Sequence, residues 1–284
     1  MKLSLVSLLS LACAATASYE NGGTMEHLMS LKMASRERAH AKGWFDKDRY
    51  PLLSRRKCLR GKAGEYSCKN VDLLSFISHQ GLGSETREGN DVWGWVSKWG
   101  REFGIVGQTD GVAFVEILPL TGTLRYVGRL ATQTVPSVWR DIKVIGDHAY
   151  IGSEAPGHGL QIFDLNKPII FSPEKDLTAW YQGFGSSHNI VAHEETNTIY
   201  AVGTQRNLTC AGGLWIVDVS DPANPTSPGC VNEDGYVHDG MSAISYVKST
   251  ANLCSPMRHL PRPRQEVHRP RDLLQLQRGH LDHC

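Results

Sequence analysis

Asp91, Asp141, the pair His188-Asn189 and the pair His238-Asp239 are spread over half the chain, yet each opens a short β-rich run. Asp91 to Asp141 spans 50 residues, and so does His188 to His238. Carboxylates and imidazoles are oxygen and nitrogen donors, so a fold that gathered these side chains would offer a divalent-cation site. A metal-bound water beside one of them as base would then support hydrolysis. Such a fold would also bury polar groups beside backbone that needs partners, and structural hydrogen bonding is the favoured reading of the pattern. No GxSxG elbow, HExxH helix or phosphate-binding loop is present, and the adjacency of Ser186, Ser187 and His188 is not the geometry of a catalytic triad.

The elements that would position these residues repeat. Three runs share one grammar: Gly111-Val112-Ala113-Phe114-Val115-Glu116, Gly159-Leu160-Gln161-Ile162-Phe163-Asp164 and Gly213-Leu214-Trp215-Ile216-Val217-Asp218. Each follows another strand-like run that ends near a glycine, at Gly107, Gly152 and Gly203. Upstream of these lie the polar openings Asn90-Asp91, Trp139-Arg140-Asp141 and Ser187-His188-Asn189, with a fourth at Tyr236-Val237-His238-Asp239. A period near 50 residues with several strands per unit is the length of a four-stranded propeller blade. The fold class expected is therefore all-β, a β-propeller-like array of four-stranded repeats, incomplete in this chain, behind a short helical N-terminal extension. In such an array the inner strand of each blade lines the central channel and brings residues of one repeat position into a ring.

The same stretches, together with Asn70-Val71-Asp72-Leu73-Leu74 and Gly157-His158-Gly159, resemble the LVIVD-repeat proteins, also labelled the choice-of-anchor B family. The resemblance runs from Cys58 to Asp239. It implies a β-propeller in a secreted or surface-attached protein, and it implies no particular biochemical activity.

Lys2, the apolar run Leu3 to Ala17 and its small-residue end have the form of a secretory signal, so residues 1–17 are expected to leave before Ser18. No later stretch is apolar enough to span a bilayer, and no transmembrane segment is expected. Secretion would favour disulfides and make Asn207-Leu208-Thr209 a usable glycosylation sequon. Cys58 with Cys68 and Cys210 with Cys230 are the expected pairs, each flanking one short segment, although cysteine counting alone leaves other pairings open. Residues 18–87 form the extension. A helix is expected from Met25 to Lys42, capped by Thr24, stopped by Gly43 and carrying Leu28, Leu31, Ala34 and Ala39 on one face. The repeats occupy 88–240.

Residues 241–284 lose the strand grammar and become rich in Arg and Pro. Read one nucleotide out of frame with suitable synonymous codons, Asp272 to Cys284 regains a Leu-x-Ile-Val strand. The stretch from within the Gly240 codon to within the Ser255 codon can carry donor-like, branch-like and acceptor-like bases, and its removal produces the required shift. The tail is therefore expected to be a retained intron followed by a frame-shifted end, which would make Cys254 and Cys284 artefacts. An array cut at this point would leave strand edges open and secrete poorly.

Thirty Lys+Arg against 29 Asp+Glu argues against a nucleic-acid-coating protein. Without the signal and the tail, the balance turns mildly acidic. Trp93, Trp95 and Trp139 suggest carbohydrate stacking, but packing between blades is favoured for them, and His158 is expected on an exposed turn. The function expected is a secreted β-propeller binding or interaction module for an extracellular protein or carbohydrate. The alternative is a metal-dependent extracellular hydrolase built on the ring of Asp91, Asp141, His188, Asn189, His238 and Asp239.

Overall fold

The computed structural model describes residues 23–167, 177–204, 210, 212–233, 235–242 and 274–275. The expected signal peptide, the sequon at Asn207 and nearly all of the expected frame-shifted tail lie outside the described residues. Helix α1 spans Gly23–Ala41. Gly43, at φ +69°, ends it in the left-handed conformation that glycine adopts without a Cβ penalty. Of the expected face, Ala39 is buried and Ala34 half-buried, whereas Leu28 and Leu31 are 44% and 52% exposed. Polar contacts anchor the helix as well. Arg36 donates from Nε and an Nη to the two oxygens of Glu88 at 2.6 and 2.8 Å, and His40 Nε2 lies 2.9 Å from the same carboxylate.

Between α1 and the repeats, β1 (Lys62–Ala63) and β2 (Tyr66–Ser67) form a small hairpin. A disulfide joins Cys58 to Cys68 around it, with a Cα–Cα separation of 5.8 Å.

Three antiparallel four-stranded sheets follow in chain order. The first contains β3 (Gly89–Val96), β4 (Glu102–Gln108), β5 (Gly111–Ile117) and β6 (Leu124–Ala131). The second contains β7 (Arg140–Ile145), β8 (His148–Ser153), β9 (Leu160–Asp164) and β10 (Ala179–Tyr181). The third contains β11 (Asn189–His193), β12 (Thr198–Val202), β13 (Leu214–Asp218) and β14 (Thr226–Val231). A two-stranded pair of β15 (Met241–Ser242) and β16 (Leu274–Gln275) lies beyond them, with β15 against β11. Within each large sheet every strand pairs with its sequence neighbour, which is the up-and-down order of a propeller blade. No sheet closes on itself, so the described chain is an all-β, propeller-like array. The shared grammar falls on the third strand of each sheet, the preceding glycine-ended run on the second, and the polar openings at or just before the first.

The cores sit between sheets. Trp95, Ile105 and Phe114 of the first sheet meet Ile142, Ile151 and Phe163 of the second. Tyr150, Leu160 and Ile162 of the second meet Ile190, Ile199 and Val217 of the third. Ile77 and Leu82 of the extension cover the other face of the first sheet, over Ala113 and Val115. A strand with both faces covered reads as a continuous apolar run, and for that reason the third strands of all three repeats lack a polar alternation.

The repeated glycines have a common steric cause. A Cβ on Gly111, Gly159 or Gly213 would collide with the carbonyl oxygen of Leu130, Tyr181 or Val231 on the adjoining fourth-strand side of the same sheet. A Cβ on Gly152 would stand 2.9 Å from Ile190 Cγ2, and one on Gly203 2.7 Å from His188 Cβ, so these glycines admit side chains that lead into the next inner strand or its opposite number. Gly159 is also left-handed, at φ +61°. Gly159→Ala is expected to cost at least about 2 kcal/mol, from strain and the backbone collision together, read as a fall in thermal midpoint. An unchanged midpoint would refute this account of the repeat.

No helix among the described residues is long and apolar enough to cross a membrane.

Candidate functional site at the inner-strand openings

The inner strands β3, β7 and β11 lie side by side, so each polar opening faces its counterpart one repeat further on. Asn90 Nδ2 donates to the Arg140 carbonyl at 2.7 Å. Asp91 Oδ2 accepts from the Ile142 N–H at 2.9 Å, and Asp141 Oδ2 accepts from the Ile190 N–H at 2.7 Å. Asn189 Nδ2 donates to the His238 carbonyl at 3.1 Å. A short polar side chain thus ties each inner strand to the backbone of the next. The tie is needed because the inner edges of neighbouring sheets do not form a ladder with one another, and a buried N–H without a partner is costly.

Asp141 carries the most. Its Oδ1 also accepts from its neighbour's N–H at Ile142, at 2.9 Å, and from Lys143 Nζ at 2.6 Å. Burial raises its carboxyl to about 6, against the opposing pull of the Lys143 ammonium and the Ile190 bond. Asp239 is exposed and bonds the N–H of Gly240 at 2.8 Å.

His188 is buried, with Nδ1 bonded to a carboxylate oxygen of Glu154. Its ring lies 4.2 Å from that of His238, centroid to centroid. Burial, and then the neighbouring His188, hold His238 below the ordinary imidazole range. The expected site residues therefore separate into inter-sheet ties at Asp91, Asp141 and Asn189, an imidazole pair with Glu154 at His188 and His238, and the surface residue Asp239. Among the described residues no three His, Cys, Asp or Glu side chains are grouped to hold a metal ion.

The position directly before each of Asp91, Asp141, Asn189 and Asp239 is polar: Asn90, Arg140, His188 and His238. Arg140 is the one whose role the pattern leaves hidden. It is fully buried, and it donates from Nε to the Gln108 carbonyl at 2.9 Å and from Nη2 to Thr132 Oγ1 at 2.9 Å. Its Nη1 stands 3.3 Å from His158 Nε2. Burial lowers its guanidinium to about 10, still charged at neutral pH. His158 is buried too, contrary to the exposed turn expected of a residue between two glycines. Burial, and then the Arg140 charge, push its imidazole down to about 3, so it is neutral and its Nε2 accepts from Arg140. The His158 carbonyl accepts from Trp180 Nε1 at 2.6 Å. Position in the repeat was the available signal for Arg140. Nothing local marks Glu154, and the glycines beside His158 point to an exposed turn.

The tryptophans join elements. Trp95 is buried and donates to Asp147 Oδ1 at 3.2 Å. Lys143 Nζ lies 4.6 Å from the ring centre of Trp93, which is 39% exposed, and Lys32 Nζ lies 5.1 Å from that of Trp139. Cys210 and Cys230 form the second disulfide, with Cα–Cα 5.9 Å.

The LVIVD repeat family profile matches residues 210–233, the segment that carries β13 and β14 of the third sheet. No curated protein matches the chain.

Proposed function

We propose that the chain is a secreted, non-catalytic interaction module of the propeller type, akin to the choice-of-anchor B proteins, for an extracellular protein or carbohydrate. The observation that carries this reading is the use of Asp91 and Asp141. Their carboxylates are engaged by the Ile142 and Ile190 N–H groups of the next sheet, so the recurring acidic position serves assembly of the array. The extracellular setting is supported by the signal-like residues 1–17, by the two disulfides and by the sequon at Asn207. The metal-dependent hydrolase reading is not favoured, because its donors are dispersed into ties and pairs.

Metal analysis of the purified protein, paired with His188→Ala and His238→Ala, tests the choice. The expected result is substoichiometric divalent metal and a thermal midpoint insensitive to chelator. About one metal ion per chain, lost in His188→Ala, would overturn the proposal in favour of the enzyme.

A further inference from the structure

The extension between α1 and the first sheet carries two features that assembly of the repeats does not use. One is a cleft of about 360 Å³ walled by Trp44, Tyr50, Tyr66 and Phe76. Its rings are splayed, with Tyr66 and Phe76 5.4 Å apart and tilted by 39° and Tyr50 and Phe76 6.4 Å apart and edge-on. Trp44 is 50% exposed, and the Arg49 guanidinium lies 5.2 Å from the Tyr50 ring centre. Asp46 places a carboxylate on the same wall.

The other feature is charge. Arg55, Arg56, Lys57, Arg60, Lys62 and Lys69 are all exposed, and between residues 47 and 69 only Asp48 and Glu65 oppose them and their neighbours Lys47 and Arg49. One ion pair relieves the cluster, Arg55 with Asp72 at 3.5 Å. Asp72 is itself held below the usual carboxylate range, first by the Cys58 N–H and then by Arg55. The Cys58–Cys68 disulfide and the β1–β2 hairpin hold Arg60 and Lys62 within one closed loop. The sequence as a whole is nearly neutral, so this concentration of like charge is local. Its repulsion is relieved by an anionic partner that spans several of the charges.

We infer that this face binds an acidic polysaccharide, with one uronate ring in the aromatic cleft and successive carboxylates on the basic loop. The proposal rests on the binding-module reading and assigns it a ligand class and a site. Aromatic faces suit the apolar side of a pyranose ring, and Arg49 offers a guanidinium fork to the ring's carboxylate. The Asp46 carboxylate accepts from hydroxyls, and the several hydroxyls of a pyranose ring favour a sugar ring over a nucleotide in the cleft. The rings are set in a cleft, which favours a chain of sugars over a flat bilayer.

The test is titration calorimetry of the full-length secreted protein with polygalacturonate. The comparison arms are the fully methyl-esterified polymer, a single-stranded oligonucleotide and phosphatidylserine vesicles. Polygalacturonate is expected to bind, and to weaken by about tenfold or more when salt is raised from about 50 to about 200 mM. Trp44→Ala and the joint Arg55→Gln, Arg56→Gln, Lys57→Gln variant are each expected to lose about tenfold in affinity, while Trp44→Phe keeps most of it. The methyl ester is expected to bind at least about tenfold more weakly. All these side chains are exposed, and unchanged thermal midpoints verify that the variants fold. Absence of polygalacturonate binding, affinity indifferent to Trp44→Ala and to the charge variant, or tighter binding of the oligonucleotide or the vesicles would overturn the proposal. Failure here with no metal bound removes the polysaccharide site alone, whereas stoichiometric metal at His188 removes the module reading.

Discussion

Arg140→Ala is expected to lower stability by about 4 kcal/mol, a fall of roughly 10 °C in thermal midpoint for a chain of this size. The substitution empties the volume of a fully buried side chain between the first and second sheets. It also removes the donors that satisfy the Gln108 carbonyl, Thr132 Oγ1 and His158 Nε2. Each acceptor left buried without a partner costs about 1–3 kcal/mol, and water entering the emptied volume recovers part of that. Asp110, the carboxylate that most favours the Arg140 charge, is already bonded to Arg129, so the guanidinium is compensated chiefly by neutral acceptors. Arg140→Lys is therefore not expected to rescue. A single ammonium cannot reach acceptors arranged for a planar fork, and its desolvation is harder to offset. Arg140→Met separates volume from hydrogen bonding, since it fills much of the space but donates nothing. It should fall between wild type and alanine. Differential scanning calorimetry of the three variants would decide. A midpoint for Arg140→Ala within about 3 °C of wild type would mean that this buried network does not join the sheets.

Asp141 is expected to govern both assembly of the second and third sheets and part of the acid-range stability. Asp141→Ala strands the Ile190 N–H and leaves Lys143 without its carboxylate, at a cost of about 3 kcal/mol. The pH effect has the opposite sign to that of an ordinary salt-bridged aspartate. Burial raises the folded carboxyl to about 6, whereas in the unfolded chain it titrates near its ordinary value of about 3.9. As pH rises from about 4 to about 6, the unfolded chain releases this proton first. Stability attributable to Asp141 is thus greatest below about pH 4 and falls, by something on the order of 2 kcal/mol, until the folded carboxyl also ionises. Asp141→Asn keeps an oxygen for the Ile190 N–H and cannot titrate. Its urea-unfolding free energy should rise relative to wild type between about pH 4 and about pH 6. A difference between the two proteins that stays constant across this range would refute the raised value. The Asp91 carboxylate, which also favours the protonated form of Asp141, makes Asp91→Asn a second handle on the same slope.

These two residues show how far the repeat could be read in one dimension. Asp141 was visible as a recurring polar opening, and its structural role was the favoured reading because a propeller must tie its inner strands together. Arg140 stands next to it in sequence, yet its burial depends on Gln108 of the first sheet, Thr132 just beyond that sheet's last strand, and His158. His158 shows the limit most clearly. Flanked by Gly157 and Gly159 it has the local form of an exposed turn, but its ring stands between Arg140 Nη1 at 3.3 Å and Thr132 Oγ1 at 3.4 Å and is fully buried. Helix α1 shows the reverse case. Its ends are legible to within two residues of Met25 and one of Lys42, since end signals are local, while only the alanine end of its apolar face is covered. Arg36 and His40 reach Glu88, and that ion-paired anchor leaves Leu28 and Leu31 outside the core.

The sequence by itself determined the all-β class, the place of the first three strands within each repeat and the glycine positions, and it narrowed the cysteines to favoured pairs that the structure then joined. All of these follow from constraints within one repeat or one short loop: the apolar run of a strand covered on both faces, the absence of a Cβ where two strands converge, and the short span between paired cysteines. Only the tertiary structure decided what the recurring polar residues do. A carboxylate is a metal donor or a backbone acceptor according to what stands opposite it, and across an array that neighbour comes from the next sheet, about 50 residues away in sequence. The structure turned Asp91 and Asp141 toward the Ile142 and Ile190 N–H groups, set His188 against Glu154, and left Trp44 and the basic groups of the extension exposed, outside the assembly of the repeats.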